Sequence, residues 1–196
     1  MNTVHPTKSI YHGPLRLARM EDVPALAVLI PLSVRALQAA YYSPAEMEAA
    51  LDNAIFGVDR QLIRDGTYFV AEQNGVIIGC GGWSRRSSMC GGDRDRKGED
   101  ALLDPQKNPA RIRAFFTHPK WARRGIGRSI MTACERAVIA AKFSRIEIVA
   151  TLAGEPLYAS FGYQVVERYG LPMANDMTLP VVRMTKDCLP NKAIGR

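Results

Sequence analysis

The residues of this chain best placed to do chemistry are Arg123-Arg124-Gly125-Ile126-Gly127-Arg128. They form a cationic turn between a strand-like run and a long amphipathic helix pattern. The first turn of a helix leaves backbone N–H groups without partners, and the helix dipole adds partial positive charge there. Gly125 and Gly127 put no side chain between an anion and that backbone. Three arginines add formal charge and forked donors. The chemistry implied is capture of a compact phosphate-bearing ligand at a helix N-terminus. Two familiar phosphate loops are excluded. The triphosphate loop G-x-x-x-x-G-K-[ST] needs a lysine that does not follow Gly127. The dinucleotide fingerprint G-x-G-x-x-G fails because Gly127 is followed by Arg128, Ser129 and Ile130.

The elements around this turn must hold it. An apolar run from Arg111 to Thr117 reads as a strand that stops at Pro119. From Gly125 to Lys142 the pattern is helical, with Ile126, Ile130, Ala133, Cys134, Ala137, Val138 and Ala141 on one face. Arg145 to Ala150 alternates as a strand. Glu155 to Phe161 reads as a short helix, and Tyr163 to Arg168 and Thr178 to Thr185 as two closing strands. Upstream, Leu15 to Arg19 reads as a short strand. Asp22 can cap a helix running to about Ala40, which Pro31 should kink or divide. Ser43-Pro44-Ala45-Glu46 is a capping box that starts a second helix, and Val58 to Arg64 can hold a third. Thr67 to Gln73, Asn74-Gly75 and Val76 to Trp83 form a hairpin signal, since Asn-Gly supplies the positive φ angles of a type I′ turn. Ser84 to Ala110 reads as a long loop, either a solvated insertion or part of a substrate site. The sum is an α+β sandwich around a mixed sheet.

Composition sets outer bounds. The 196 residues suffice for one domain with a real core, and 47% apolar and 23% charged content are ordinary for a globular protein. The reading divides the chain into a flexible segment 1–13, one domain 14–187 and a tail 188–196. No signal-peptide h-region opens the sequence, and the longest apolar stretch, Val23 to Leu32, is too short to span a bilayer. Cys80, Cys90, Cys134 and Cys188 lack metal-like spacing and read as reduced thiols, so no metal and a cytoplasmic location are expected. A net charge of +7 implies an acidic partner. Because part of that charge sits at the glycine turn, a phosphate cofactor is favoured over nucleic acid, for which no recognition motif exists.

Phe115-Phe116-Thr117-His118-Pro119, the glycine turn, and then Pro156-Leu157-Tyr158 with Phe161-Gly162-Tyr163 together resemble the GNAT (GCN5-related N-acetyltransferase) superfamily. Its signature is a strand, the loop [QR]-x-x-G-x-[GA], a helix, another strand, and a Tyr-x-x-x-Gly-[Phe/Tyr] segment. One position departs: Ala122 stands where Gln or Arg is expected, with Arg123 and Arg124 beside it. The resemblance implies a central mixed, mostly antiparallel sheet flanked by helices on both faces. It implies acetyl-CoA as co-substrate, with Phe115, Phe116 and Thr117 pairing with the pantetheine arm. Arg123, Arg124, Gly125, Ile126, Gly127, Arg128 and Ser129 would wrap the pyrophosphate, and the cofactor would lie where two strands splay.

The implied reaction is acetyl transfer to a primary amine of a small molecule or peptide, directly in a ternary complex. Tyr158 matches the tyrosine placed to protonate the departing thiolate. A phenol suits that role because its pKa near ~10 keeps it protonated at neutral pH. Its other reading is packing. No general base is visible: Glu72, Glu147 and Glu155 are candidates by element position only, and His118 in its His-Pro turn reads as exposed. A backbone N–H near Phe116 could stabilise the oxyanion. Tyr41 and Tyr42 could line an acceptor pocket or cap a hydrophobic seam, and Trp83 and Trp121 could flank a ligand or pack. Asp93, Asp95, Glu99 and Asp100 could attract a cationic amine. By analogy with relatives the chain could form a homodimer. A non-catalytic acyl-CoA-binding sensor or structural module is the alternative.

Overall fold

A computed structural model describes residues 10–89 and 100–188. The chain order is β1 (Leu15–Leu17), α1 (Val23–Leu37), α2 (Pro44–Asp52), α3 (Arg60–Arg64), β2 (Tyr68–Gln73) and β3 (Val76–Ser84). Then come β4 (Ala110–Thr117), α4 (Ile126–Ala140), β5 (Arg145–Thr151), α5 (Glu155–Ala159), β6 (Gln164–Pro172) and β7 (Thr178–Asp187). The seven strands form one sheet in the order β1-β2-β3-β4-β5-β7-β6. All neighbours are antiparallel except β4 and β5, which the crossover helix α4 joins in parallel. This is the mixed, mostly antiparallel α+β architecture expected.

Adjacent strand residues serve opposite faces, as the pleat demands. Ala71, Ile78 and Val182 join the core under α4, whereas Val70, Ile77 and Val181 join the core under α1 and α2. Helix α4 buries Ile126, Ile130, Met131, Cys134 and Val138. Each such aliphatic side chain stabilises the fold by roughly 1.5–3 kcal/mol when fully buried.

Local sequence rules hold at several junctions. Asn74 and Gly75 both take positive φ, 50° and 75°, in the β2–β3 turn. The Ser43 hydroxyl accepts the Glu46 N–H at 3.2 Å, and the Glu46 carboxylate accepts the Ser43 N–H at 2.7 Å. Other expectations need correction. Asp22 does not cap α1 with its side chain. The Arg16 guanidinium holds both carboxylate oxygens, at 2.7 and 2.9 Å, and a forked ion pair outcompetes a single capping bond. Pro31 sits inside α1 without dividing it, and that helix ends at Leu37, short of Ala40. The last two strands run longer than their alternation suggested, because β6 and β7 pair along nearly their whole length.

Part of the long loop after β3 is tied down. Arg86 donates to both Asp65 carboxylate oxygens at 2.7 and 2.9 Å and bridges to Leu102. Cys90, Asp93, Asp95, Glu99 and His5 lie outside the described residues, as does 189–196. Among the described residues no helix is long and apolar enough to cross a membrane, and no cluster of three His, Cys, Asp or Glu could hold a metal.

Candidate active site

The parallel pair β4–β5 is short. Ala110, Arg111 and Ile112 pair with Ile146, Glu147 and Ile148, and beyond Ile112 the strands part. β5 continues to Thr151 on the arm of β7. Two features of β4 accompany the split. Its register against β3 slips between Cys80 and Gly82, so Ala114 and Phe115 together oppose the single residue Gly81. Ala114 takes φ 61°, in the left-handed region that costs a non-glycine residue about 1 kcal/mol. Such a bulge bends its strand and re-aims side chains beside functional sites. Gly81 makes it possible, since a Cβ there would lie 2.6 Å from the Phe115 ring.

A cleft opens in the gap. Its lining includes Phe115, Phe116, Val149, Thr151 and Tyr158 together with Gln38, Ile55, Phe56, Arg113, Leu171, Leu179 and Val181. Tyr158, on α5, is 5% exposed and packs edge-on between Phe115 (6.1 Å) and Tyr163 (6.2 Å). Burial pushes its phenol well above the ordinary value, and the neighbouring Cys134 thiol adds to that shift. It therefore holds its proton at neutral and moderately alkaline pH. At the end of β4 the Thr117 N–H donates to Ser33 Oγ of α1 at 3.1 Å, so one of the three expected pantetheine-facing positions already spends its donor.

The glycine turn stands at the start of α4. Gly125 is the N-cap with φ 88°, a conformation that only glycine adopts cheaply. The Ser129 N–H donates to the Gly125 carbonyl at 2.9 Å, which leaves the N–H groups of Ile126, Gly127 and Arg128 ahead of the first helical bond. No acidic residue occupies this turn. The Arg124 guanidinium lies 4.8 Å over the Trp121 ring, and Arg128 lies 5.1 Å over Phe161 while donating to Ser160 at 3.3 Å. Arg123 is exposed and also takes positive φ, 62°. Gly127 has a packing reason for its bare Cα: a Cβ would meet Leu157 of α5 at 3.1 Å. The glycine thus seats the phosphate-type turn against the helix that carries Tyr158.

Other expected residues fall elsewhere. Glu72 pairs with Arg16 at 2.9 Å, Glu147 with Arg111 and Arg183, and Glu155 with Arg168 at 2.6 Å. Arg168 holds the Glu155 carboxyl below its ordinary value. None of the three lines the cleft. His118 closes its own turn by accepting the Lys120 N–H at 3.2 Å. Tyr42 is a seam residue: its hydroxyl donates to the Pro180 carbonyl at 2.7 Å and accepts the Leu152 N–H at 2.8 Å, while Tyr41 is exposed. Trp83 packs edge-on against Phe143. Cys80 and Cys134 are buried in the two cores.

Three features were missed in the sequence. Tyr11, from the segment expected to be flexible, is buried, and its N–H donates to the Arg124 carbonyl at 2.7 Å, pinning the glycine turn. Arg113 and Asp59 form a buried ion pair, Nε to Oδ2 2.9 Å, at the cleft wall. Gln38 lines the cleft, and its Oε1 is buried without a hydrogen-bond partner. The glycine-rich run Gly79-Cys80-Gly81-Gly82 was the available signal for close approach at the bulge.

Comparison with known proteins adds the family. A family model described as an acetyltransferase (GNAT) domain matches residues 64–165, more than half of the chain. The fold is similar to that of a GCN5-related N-acetyltransferase from Rhodopseudomonas palustris, with TM-score 0.66 and 21% identity, covering 92% of this chain and 99% of that one. It is similar to the PaiA N-acetyltransferase of Thermoplasma acidophilum in complex with coenzyme A, with TM-score 0.61, 14% identity, and coverage of 89% and 98%. It is also similar to yncA, a putative acetyltransferase from Salmonella typhimurium with acetyl-CoA, with TM-score 0.57, 15% identity, and coverage of 94% and 99%. No curated protein sequence matches significantly. At these identities the structural likeness carries the fold, and the matched family model carries the membership: this chain belongs to the GNAT acetyltransferase family.

Proposed function

We propose that the protein transfers an acetyl group from acetyl-CoA to a primary amine of a small molecule or peptide, directly, within a ternary complex, with residues 14–187 as the catalytic unit. The observation that carries this reading is the parting of β4 and β5 beyond Ile112, with Tyr158 lining the cleft and with open N–H groups at the start of α4, whose Gly127 lies against Leu157 of the helix that carries Tyr158. The diphosphate would lie on Arg123, Arg124, Gly125, Ile126, Gly127, Arg128 and Ser129, and the pantetheine arm along Phe115, Phe116 and Thr117. The coenzyme A and acetyl-CoA complexes of the Thermoplasma and Salmonella proteins support coenzyme A as the ligand.

The amine nitrogen attacks the thioester carbonyl, and a peptide N–H at the Ala114–Phe116 bulge steadies the oxyanion. The C–S bond then breaks. The Tyr158 phenol gives its proton to the thiolate sulfur, and the excess proton on nitrogen leaves to solvent and restores the phenol. Positioning both reactants in one cleft supplies much of the rate. Isothermal calorimetry with coenzyme A and a thiol-release assay with acetyl-CoA and an amine panel test the proposal. Failure to bind coenzyme A by folded protein would refute it. A second reading, a domain that holds acyl-CoA without turnover, is favoured by one observation: the three glutamates considered as bases are ion-paired outside the cleft. Tight coenzyme A binding without thiol release to any amine would select it.

A further inference from the structure

We infer that the acceptor end of this cleft takes a primary amine carried on an apolar body, and that Gln38 Oε1 receives one N–H of that amine. The inference rests on the acetyl-transfer reading above and names its substrate class. Beyond Tyr158 the walls are Ile55, Phe56, Leu171, Leu179 and Val181. Among the described residues no carboxylate lines the cleft, and its one cationic side chain, Arg113, already faces Asp59 at 2.9 Å.

Gln38 is the exception in this wall. It ends α1, and its main chain is spent locally: its N–H donates to Val34 at 3.1 Å, and its carbonyl receives the Tyr41 and Tyr42 N–H groups. The residue is 7% exposed, and its side-chain Oε1 is buried with no hydrogen-bond partner. Native proteins satisfy nearly all such groups, so an unpartnered buried acceptor on a residue that lines a ligand cleft points to a donor on the ligand. The chemistry agrees. A nucleophilic amine must keep its lone pair for the carbonyl carbon, so it can be held only through its N–H bonds, and an amide oxygen holds it that way.

The walls also select against multiply charged amines. Among the described residues the cleft offers a second ammonium group no carboxylate in exchange for its lost hydration. The same desolvation disfavours the protonated form of the single reacting amine, which must be neutral to attack.

The test measures thiol release from acetyl-CoA with 2-phenylethylamine, isoamylamine, spermidine and kanamycin, for the native chain, Gln38→Leu and Gln38→Glu. Coenzyme A calorimetry and circular dichroism accompany each variant. The apolar monoamines should exceed spermidine and kanamycin in kcat/KM by at least about tenfold. Gln38→Leu should raise the amine KM by about tenfold while leaving coenzyme A affinity within about twofold. Gln38→Glu should shift the preference toward spermidine. A native preference for spermidine or kanamycin overturns the inference, and so does an amine KM unmoved in Gln38→Leu. Coenzyme A binding with no transfer to any amine overturns it too and leaves the cofactor site standing. Absence of coenzyme A binding removes the acetyl-transfer reading itself.

Discussion

Gly81 offers the sharpest perturbation of the cleft, because it touches neither reactant. A Cβ built on it lies 2.6 Å from Cδ2 and 2.8 Å from Cγ of Phe115. Non-bonded carbons settle near about 3.5 Å, so Gly81→Ala must push the ring back by roughly 1 Å. Rotation about the ring axis gives no relief, since Cγ lies on that axis. The whole side chain has to retreat, and its edge rests on Tyr158 with ring centroids 6.1 Å apart. Overpacking of this kind costs roughly 1–3 kcal/mol. At about 2–4 °C per kcal/mol for a domain of this size, Tm should fall by roughly 2–12 °C. The larger effect is kinetic: a displacement of about 1 Å near a reacting centre can cost up to roughly 100-fold. Thiol release at saturating acetyl-CoA, measured well below the lowered Tm, should show kcat reduced by about 10- to 100-fold. In a Phe115→Ala background the same Gly81→Ala change should cost little further Tm, because Cγ and the ring it carries are gone. A Gly81→Ala protein with native kcat would refute the mechanical link from Gly81 through Phe115 to Tyr158.

Three further perturbations test other parts of the molecule. Tyr158→Phe should lower kcat by roughly 100-fold and leave the acetyl-CoA KM nearly unchanged in steady-state assays, as loss of a general acid does; native turnover would remove Tyr158 from the chemistry. Asp59→Asn keeps an oxygen able to cap α3 through the Leu62 N–H but strips the charge facing Arg113, whose side chain is 4% exposed. Breaking a buried pair from one side costs roughly 3–5 kcal/mol, so calorimetry should show a Tm drop of roughly 6–20 °C, and a drop under about 3 °C would contradict the burial argument. Burial raises the phenols of Tyr42 (to about 12), Tyr68, Tyr158 and Tyr163 above their ordinary value near 10. Above that pH the unfolded chain releases protons that the folded chain retains. The stability these groups provide is complete below pH 10 and drains as pH climbs toward the folded values, by about 1.4 kcal/mol per pH unit for each phenol. Tyrosinate absorbance from these four should therefore rise together with loss of helical circular dichroism. Their ionisation near pH 10 in a protein that stays folded would refute this.

The parts of the fold visible in the sequence are those fixed by neighbours within a few residues. The Asn74-Gly75 turn, the Ser43–Glu46 box and the amphipathic stripe of α4 each obey a local rule, and each stands where that rule puts it. Residues whose role is set across long separations could not be read this way. Asp22 has the type and position of a helix cap, yet Arg16 and the sheet edge claim it. Tyr42 carries an aromatic face suited to an amine, yet its hydroxyl is committed to Pro180 and Leu152, more than 100 positions away. Gly127 reads as a phosphate glycine, but Leu157 explains its bare Cα as well. The bulge at Ala114 was announced only from the partner strand, by the crowding of glycines from Gly79 to Gly82.

Long-range placement also explains why no catalytic carboxylate was visible in the sequence. A carboxylate does reach the wall of β4, from Asp59 at the start of α3, but Arg113 faces it at 2.9 Å and the Leu62 N–H donates to it at 3.1 Å. Both of its oxygens are thus engaged, and Asp59 is not among the residues that line the cleft. The remaining polar groups in the cleft include the Gln38 amide, the Thr151 hydroxyl and the Tyr158 phenol, and burial keeps that phenol protonated. Such a wall cannot pull a proton from an ammonium group strongly, but it can refuse the ammonium form, since apolar surroundings offer a charge no replacement for its water. In the proposed reaction, selection of the neutral amine from solution takes the place of a dedicated base, and the apolar residues from the segment after α2, from β6 and from β7 become part of the chemistry rather than its container.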